Sequence, residues 1–447
     1  MAALNRRQFT FGLGALAAVP LLASCGGGGR EVRRERVIVV GAGMAGLSAA
    51  RRLADAGVSV TVVEARQRIG GRTWTDDSLG LPIDLGGAWI HGPEGNPLTD
   101  LAEQAGARTV PTDFEDTIVL QDGSVVGPAA LDAAGRNWER IMDAVYGMTA
   151  DAAPDATLAD GLADAGTDFT DPLMQWIIAG AIGSEYAADP DELSLRWFGS
   201  EGEFGGGDLI LPGGYKQLID HLARDLTMTL GAEVTRIAYD DSGVTVETAQ
   251  EVFDADRVIV TVPLGVLKAD TIVFDPPLPD DKRQAIQRLG FGLLDKVVLK
   301  FDEPFWTEQF DMNSDMIGIA GKDQPVSDLV NGLRFTDVPL LVGLRGGSNA
   351  LVREKDSDEL TASQVVAALR GPEPTGVLVT RWAEDPYARG SYSFLAVGSS
   401  PDDQEALAAP VGDRLLFAGE ATNSEYSATV HGAHLSGLRE ADRILGA

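Results

Sequence analysis

The chain has 447 residues, 44% of them hydrophobic, enough for two domains with sizeable cores. Lys and Arg number 36 against 67 Asp and Glu, a formal net charge of −31 that disfavours nucleic acid as a partner and favours cationic ligands. Four histidines without ligand-like spacing argue against a metal site, and a single cysteine, Cys25, rules out an internal disulfide.

The first stretch reads as a targeting segment. Arg6 and Arg7 precede Phe9 and an apolar run to Leu22, and Leu22-Ala23-Ser24-Cys25 closes it. This resembles a twin-arginine export signal with a lipoprotein cleavage box over 1–25, with Cys25 as the lipidated residue and 26–35 as a flexible tether. The expectation is a protein exported already folded and anchored by lipid on the outer face of the cell membrane. No later apolar run approaches the ~20 residues of a membrane span.

From Arg36 to Arg72 the chain reads RVIVVGAGMAGLSAARRLADAGVSVTVVEARQRIGGR. Residues 37–40 are a short apolar β-branched run, the pattern of a strand buried on both faces. Gly41, Gly43 and Gly46 follow in G-x-G-x-x-G spacing, with Ala45 inside it. The first glycine allows the tight turn, the second lets backbone approach a pyrophosphate, and the third lets helix pack on strand. Leu47, Ala50 and Leu53 give the helix an apolar face, Gly57 ends it, and 58–63 form a second strand. Glu64 closes that strand, where an acid accepts hydrogen bonds from a ribose hydroxyl.

The continuation through Glu64-Ala65-Arg66 and Gly70-Gly71-Arg72 resembles the FAD-binding start of flavin-containing amine oxidases. That resemblance implies that Arg66, Gly71 and Arg72 reach the cofactor. The next segment, Asp84 to Gly92 followed by Gly95-Asn96-Pro97, is turn-rich, and its glycines let backbone lie against a planar ring. It resembles the matching part of the polyamine oxidases in that family, which implies that Gly87, Ala88 and Trp89 touch the flavin and that His91 faces substrate. Residues 98–211 read as mainly helical, with 176–182 as a short buried helix piece. Within them, GAIGSEYAADPDELSL resembles the segment that brings an acid, here Glu185, to the substrate tunnel. Gly205, Gly206 and Gly207 read as a mobile loop.

A helix over 215–226 then returns the chain to the first domain. Val234, in EVTRI, is expected on the adenine side, and 244–247 and 258–262 are strands. The stretch from Val258 to Trp306 resembles flavin amine oxidases closely, including the oxidase domain of the lysine-specific histone demethylase. Within it Lys296 enters an apolar strand, which is costly without a partner. The resemblance implies that this lysine holds a water where oxygen reacts with the flavin. Trp382, Tyr392 and Phe394 lie in segments resembling the aromatic walls of the site, which position an amine and favour positive charge on it. Residues 415–418 are a last buried strand. A helix opens over 427–433, and the resemblance to flavin amine oxidases implies that Glu420 reaches the ribityl or phosphate region and that Thr429 and Val430 lie against the ring.

The implied fold is α/β: a discontinuous Rossmann-like FAD-binding domain (36–100, 209–270 and 405–447) interleaved with a mixed α+β substrate domain (101–208 and 271–404). FAD is expected to be non-covalent, because no cysteine lies near the ring to form a thioether. The implied activity is oxidation of an amine by O2 to an imine or aldehyde with hydrogen peroxide, polyamines being the first choice. The alternatives are a monoamine or L-amino-acid oxidase of the same family, or a lipid-anchored amine-binding flavoprotein without turnover. No obligate protein partner is evident.

Overall fold

A computed structural model describes residues 35–311 and 313–447. The readings of Arg6, Arg7 and Cys25 fall outside the described residues. A five-stranded parallel sheet runs Thr227–Leu230, Ser59–Glu64, Arg36–Val40, Arg257–Val260, Leu415–Phe417, so its strands come from separated parts of the chain. Successive side chains of a strand point to opposite faces. Val37 and Val39 accordingly pack under the helices Met44–Asp55, Lys216–Ala223 and Val430–Leu445, with Leu47, Leu218 and Ala441. Ile38 and Val40 face the other way, into a core with Val246, Val260 and Phe417. Both faces are covered, which is why the strand reads as a continuous apolar run.

The first and last of these helices pack closely. A Cβ on Gly437 would fall 2.1 Å from the Ala45 carbonyl oxygen, and Ser48 Oγ bonds His434 Nδ1 at 2.7 Å. Gly437→Ala is expected to destabilise the holoenzyme by about 1–3 kcal/mol through overpacking. Gly147, in the helix Pro128–Thr149 with nothing within 4 Å of its Cβ position, is the control: Gly147→Ala should cost nothing. Urea midpoints measured side by side check this, and equal midpoints would mean that the two helices separate freely.

A second, mixed sheet of seven strands runs Gly376–Val379, Leu294–Lys300, Leu340–Gly346, Asp328–Asn331, Met316–Ala320, Thr117–Gln121, Ser124–Val125. One face, with Val297, Leu299, Ile317, Leu329 and Leu341, packs on Trp306 and the helix Asp358–Leu369. The other carries Lys296, Leu344 and Met316, which face a cavity between the sheets. A small antiparallel sheet of Trp89–Ile90, Asp208–Ile210 and Val110–Thr112 carries Trp89 and Asp208 to that cavity.

Several expected boundaries move. Residues 98–211 contain the strands Val110–Thr112, Thr117–Gln121 and Ser124–Val125, where mainly helix was expected. Thr117–Gln121 gains its partner, Met316–Ala320, from a distant part of the chain, so tertiary pairing overrides the local pattern. The helix expected over 215–226 ends at Ala223 and is followed by the edge strand Thr227–Leu230. The expected helix piece at 176–182 is the helix Pro172–Ile178 running into the π-helical turn Ala179–Ser184, with Trp176 on the cavity wall. The last helix begins at Val430, with Thr429 as N-cap. Among the described residues no helix is long and apolar enough to cross a membrane, and no group of three or more His, Cys, Asp and Glu could hold a metal ion.

Candidate active site

A cavity of about 860 Å³ lies between the parallel sheet and the second sheet, at the upper end of the range of ligand sites. The glycine fingerprint forms one wall. Gly41, at φ 110°, gives its N–H to Val63 O at 2.8 Å and turns the chain into the helix Met44–Asp55. That helix starts at Gly43 with no side-chain cap and no acid in its first turn, so its free N–H groups and positive dipole end suit an anionic group. Glu64 stands beside it. Its carboxylate accepts from Ala42 N and Arg66 N, each at 2.8 Å, which leaves lone pairs for a ligand hydroxyl. Gly41, Gly43, Ala45, Glu64, Arg66 and Val234 all line the cavity. Gly46 does not. A Cβ there would lie 2.0 Å from Gly41 O, so its role is helix-to-strand packing and not contact with a cofactor.

Gly71, Arg72, Gly87 and Ala88 continue the wall, and Trp382, Glu420, Thr429 and Val430 close it from the C-terminal part of the chain. Arg66 makes a bidentate pair with Asp385 at 2.7 Å. Arg72 Nη1 bonds both Ser391 O and Glu420 Oε1 at 2.8 Å, while the other Glu420 oxygen takes Ser393 Oγ at 2.6 Å and Ala428 N at 3.1 Å. Glu420 thereby ties wall segments together, and its Oε1, with Arg72 as its one bonded donor among the described residues, keeps a lone pair toward the cavity it lines. Thr429 likewise commits its hydroxyl to capping, accepting from Gly432 N and donating to Tyr426 O.

Lys296 is 4% exposed and its Nζ donates to Asp84 O at 2.9 Å and Gly86 O at 2.7 Å. Burial pushes its pKa down to about 8, against the pull of the Asp84 carboxylate. Asp84, itself pushed up to about 6 by burial, accepts from Thr75 and from Tyr215 N and so braces the loop that holds the lysine. An ammonium has three donors, and two here are taken by carbonyls. The third is free to hold a water in the cavity. Trp89 lies 5.2 Å from Nζ at its ring centroid, and its buried Nε1 has no protein partner.

His91, Glu185, Tyr392 and Phe394 line the same cavity. His91 is half exposed and its Nδ1 lies 3.2 Å from Asp208 Oδ2. Burial alone would lower its pKa, but the hydrogen bond and charge of Asp208, with Glu185 and Glu203, raise it above the ordinary value. Glu185 caps the π-helical turn Ala179–Ser184, and Tyr392 gives its hydroxyl proton to Ser184 O. At the start of the glycine run 205–207, expected as a mobile loop, Gly205 O accepts from Glu94 N, and the preceding Phe204 stacks on Tyr426 at 4.7 Å. Sequence reasoning missed Phe204, Asp208, Trp176, Asp328 and His431, all on the cavity wall. Asp208 and Asp328 carried a signal, each being an acid beside the apolar run of a short strand.

The fingerprint wall, the uncapped helix N-terminus and the unpartnered Trp89 Nε1 fit a dinucleotide with a planar ring. The comparisons agree. The family model described as flavin containing amine oxidoreductase matches residues 44–445. Polyamine oxidase 4 of Oryza sativa subsp. japonica is 37% identical over 436 residues, covering 91% of this chain and 88% of that protein. The lysine-specific histone demethylase 1 homolog 1 of the same species is also 37% identical, over 92% of this chain but only 52% of its own length. Among solved structures, a redesigned double mutant of putrescine oxidase superposes with a TM-score of 0.78 at 26% identity, covering 93% of this chain and 99% of that one. The chain belongs to the flavin-containing amine oxidoreductases, an FAD enzyme acting on CH–NH groups with its cofactor held non-covalently.

Proposed function

We propose that this protein oxidises polyamines of the spermine and spermidine type. The observation that carries the reading is that one cavity holds the dinucleotide wall, the buried Lys296, and a cation-attracting side made of Glu185 and Asp208 with the aromatic rings of Trp89 and Tyr392. The 37% identity to a polyamine oxidase and the likeness to putrescine oxidase support it. FAD would be held by the wall of Gly41, Gly43, Glu64 and Arg72, and would supply acceptance of a hydride from the carbon next to a neutral amine nitrogen and transfer of the electrons to O2. The chain's own residues orient and shield. Trp382, edge-on to Trp74 at 6.2 Å, and Tyr392, fixed by Ser184, present aromatic faces that align the amine. Glu185 and Asp208 hold a nitrogen that remains charged, and water later hydrolyses the imine to an aldehyde and a shorter amine.

The test is anaerobic mixing of the yellow holoenzyme with spermine, spermidine, putrescine, a monoamine and an amino acid in separate cuvettes, followed by air and a peroxide assay. Bleaching by the polyamines with peroxide on reoxidation is expected. Bleaching by the monoamine or amino acid alone would overturn the substrate class and leave the family standing.

A further inference from the structure

Beside Lys296, on the face of its strand turned away from the cavity, lies a buried acid that the reading above does not use. Successive side chains alternate, so Asp295 points the way of Val297 and Leu299, and it faces Arg345 on the neighbouring strand. Asp295, Arg345 and Glu354 are 0%, 1% and 3% exposed. Asp295 Oδ1 accepts from Thr380 Oγ1 at 2.8 Å and from Trp382 N at 3.2 Å. Thr380 in turn holds both backbone groups of Lys296. Its hydroxyl accepts from Lys296 N at 2.8 Å, and its N–H donates to Lys296 O at 3.0 Å. Glu354, the C-cap of the helix Gly347–Arg353, accepts from Ala383 N at 2.8 Å and Glu384 N at 3.2 Å. The two acids thus fasten residues 380–384, which carry Trp382 to the cavity wall, to the strand of Lys296.

Asp295 Oδ2 is buried and finds no donor among the described residues, yet Glu354 takes a side-chain hydrogen bond from Asp295. Two carboxylates in such contact do not both stay ionised in a buried site, and one proton between them meets both observations. Burial and the charge of Glu354 push Asp295 up to about 7, and burial pushes Glu354 up. Arg345 pulls Asp295 the other way, Glu384 raises Glu354 further, and Arg353, Arg381 and Asp356 act on Arg345. The Arg345 nitrogens bond none of the described residues, so that arginine acts through its field. With one proton the pair carries a single negative charge, which the guanidinium offsets.

We infer that Asp295 and Glu354 form a proton-sharing positioning pair, which sets Trp382 in the cofactor wall and, through Thr380, sets the backbone from which Lys296 reaches into the cavity. Neither acid touches the reacting atoms; both act through residues that do. The pair serves any amine substrate, so it does not depend on the polyamine reading.

The test compares wild-type holoenzyme with Asp295→Leu, Asp295→Asn and Thr380→Val. Leucine removes every bond of the acid. Asparagine offers Oδ1 to Thr380 and Trp382 and an N–H to Glu354, so it reproduces the protonated acid and has no proton to lose. Valine keeps the size of Thr380 without its hydroxyl. The flavin is photoreduced without oxygen, which needs no amine, and its reoxidation by air is followed from pH 6 to 10. At pH 6 Asp295→Leu and Thr380→Val are expected to reoxidise at least about tenfold more slowly than wild type, and Asp295→Asn to recover at least about fivefold over leucine. The ratio of the asparagine variant to wild type should rise at least about threefold as pH passes 7, because only the wild-type pair loses its proton and repels. Infrared difference spectra between wild type and Asp295→Asn should show a protonated carboxyl band at pH 6 that is gone at pH 10. Absence of that band overturns the shared proton. Wild-type reoxidation in Thr380→Val, or an asparagine variant as slow as leucine at every pH, overturns the positioning role.

Discussion

Lys296→Met is expected to slow reoxidation of the reduced enzyme by air about 10²-fold or more, while reduction by amine without oxygen changes less than tenfold. The split follows from what Nζ touches. It donates to Asp84 O and Gly86 O, contacts of the wall, and has one proton left for a water. Methionine fills similar volume and removes all three donors, so the loss falls on the half-reaction that uses the water. The pH dependence has a definite sign. With the pKa lowered to about 8, the third N–H is present below pH 8 and lost as pH rises through it, since a neutral amine has only the two protons that the carbonyls take. Reoxidation should therefore fall as pH rises through about 8 in the wild type and be flat in the variant. Reduction should show the opposite trend, because a neutral substrate amine becomes more abundant as pH rises. Stopped-flow traces of the two half-reactions, recorded separately from pH 6 to 10, decide the matter; equal slowing of both would reassign Lys296 to a purely structural role.

Much of this site was legible because its chemistry is written in local patterns. The strand Arg36–Val40, the turn at Gly41 and the helix Met44–Asp55 lie together in sequence, and glycine spacing, helix periodicity and the acid at Glu64 report on one another. Lys296 stood out because a lysine in an apolar strand needs a reason. Asp328 escaped notice because its meaning depends on register: only when Leu344 pairs with both Lys296 and Asp328 does the acid join the lysine's row. Asp208 was hidden for a related cause, since its partner His91 is brought to it by the pairing of Trp89–Ile90 with Asp208–Ile210. Glu420 was placed in the right wall, but its second task of tying wall segments together was not legible, because sequence shows an acid and not the donors around it. The edge strand Thr227–Leu230 was missed because it follows a helix without a turn signal and is read only from its pairing with Ser59–Glu64.

The tie at Glu420 makes Arg72→Ala the variant with the largest expected cost in stability. Glu420 is 5% exposed, and Arg72 is the one cation bonded to it among the described residues. Removing the guanidinium strands a buried carboxylate, at about 3 kcal/mol, the low end for a broken buried pair because Ser393 and Ala428 still donate to it. It also frees the Ser391 carbonyl and uncovers Phe291, over whose ring the guanidinium sits at 5.6 Å. The segments that Glu420 ties together are walls of the cofactor cavity, so the same change should weaken FAD retention, seen as colour lost on gel filtration. Glu420→Gln removes the charge that Arg72 opposes but places an amide where carboxylate oxygens faced only donors, and it should cost less. In the double variant neither charge is stranded. The cycle should accordingly show a coupling of at least about 1 kcal/mol, with the double variant more stable than the two single losses added together. Urea midpoints of the four holoenzymes measure it. Additivity within about 0.5 kcal/mol would mean that Arg72 and Glu420 act independently, and the wall would then owe its order to the aromatic packing at Trp382 instead.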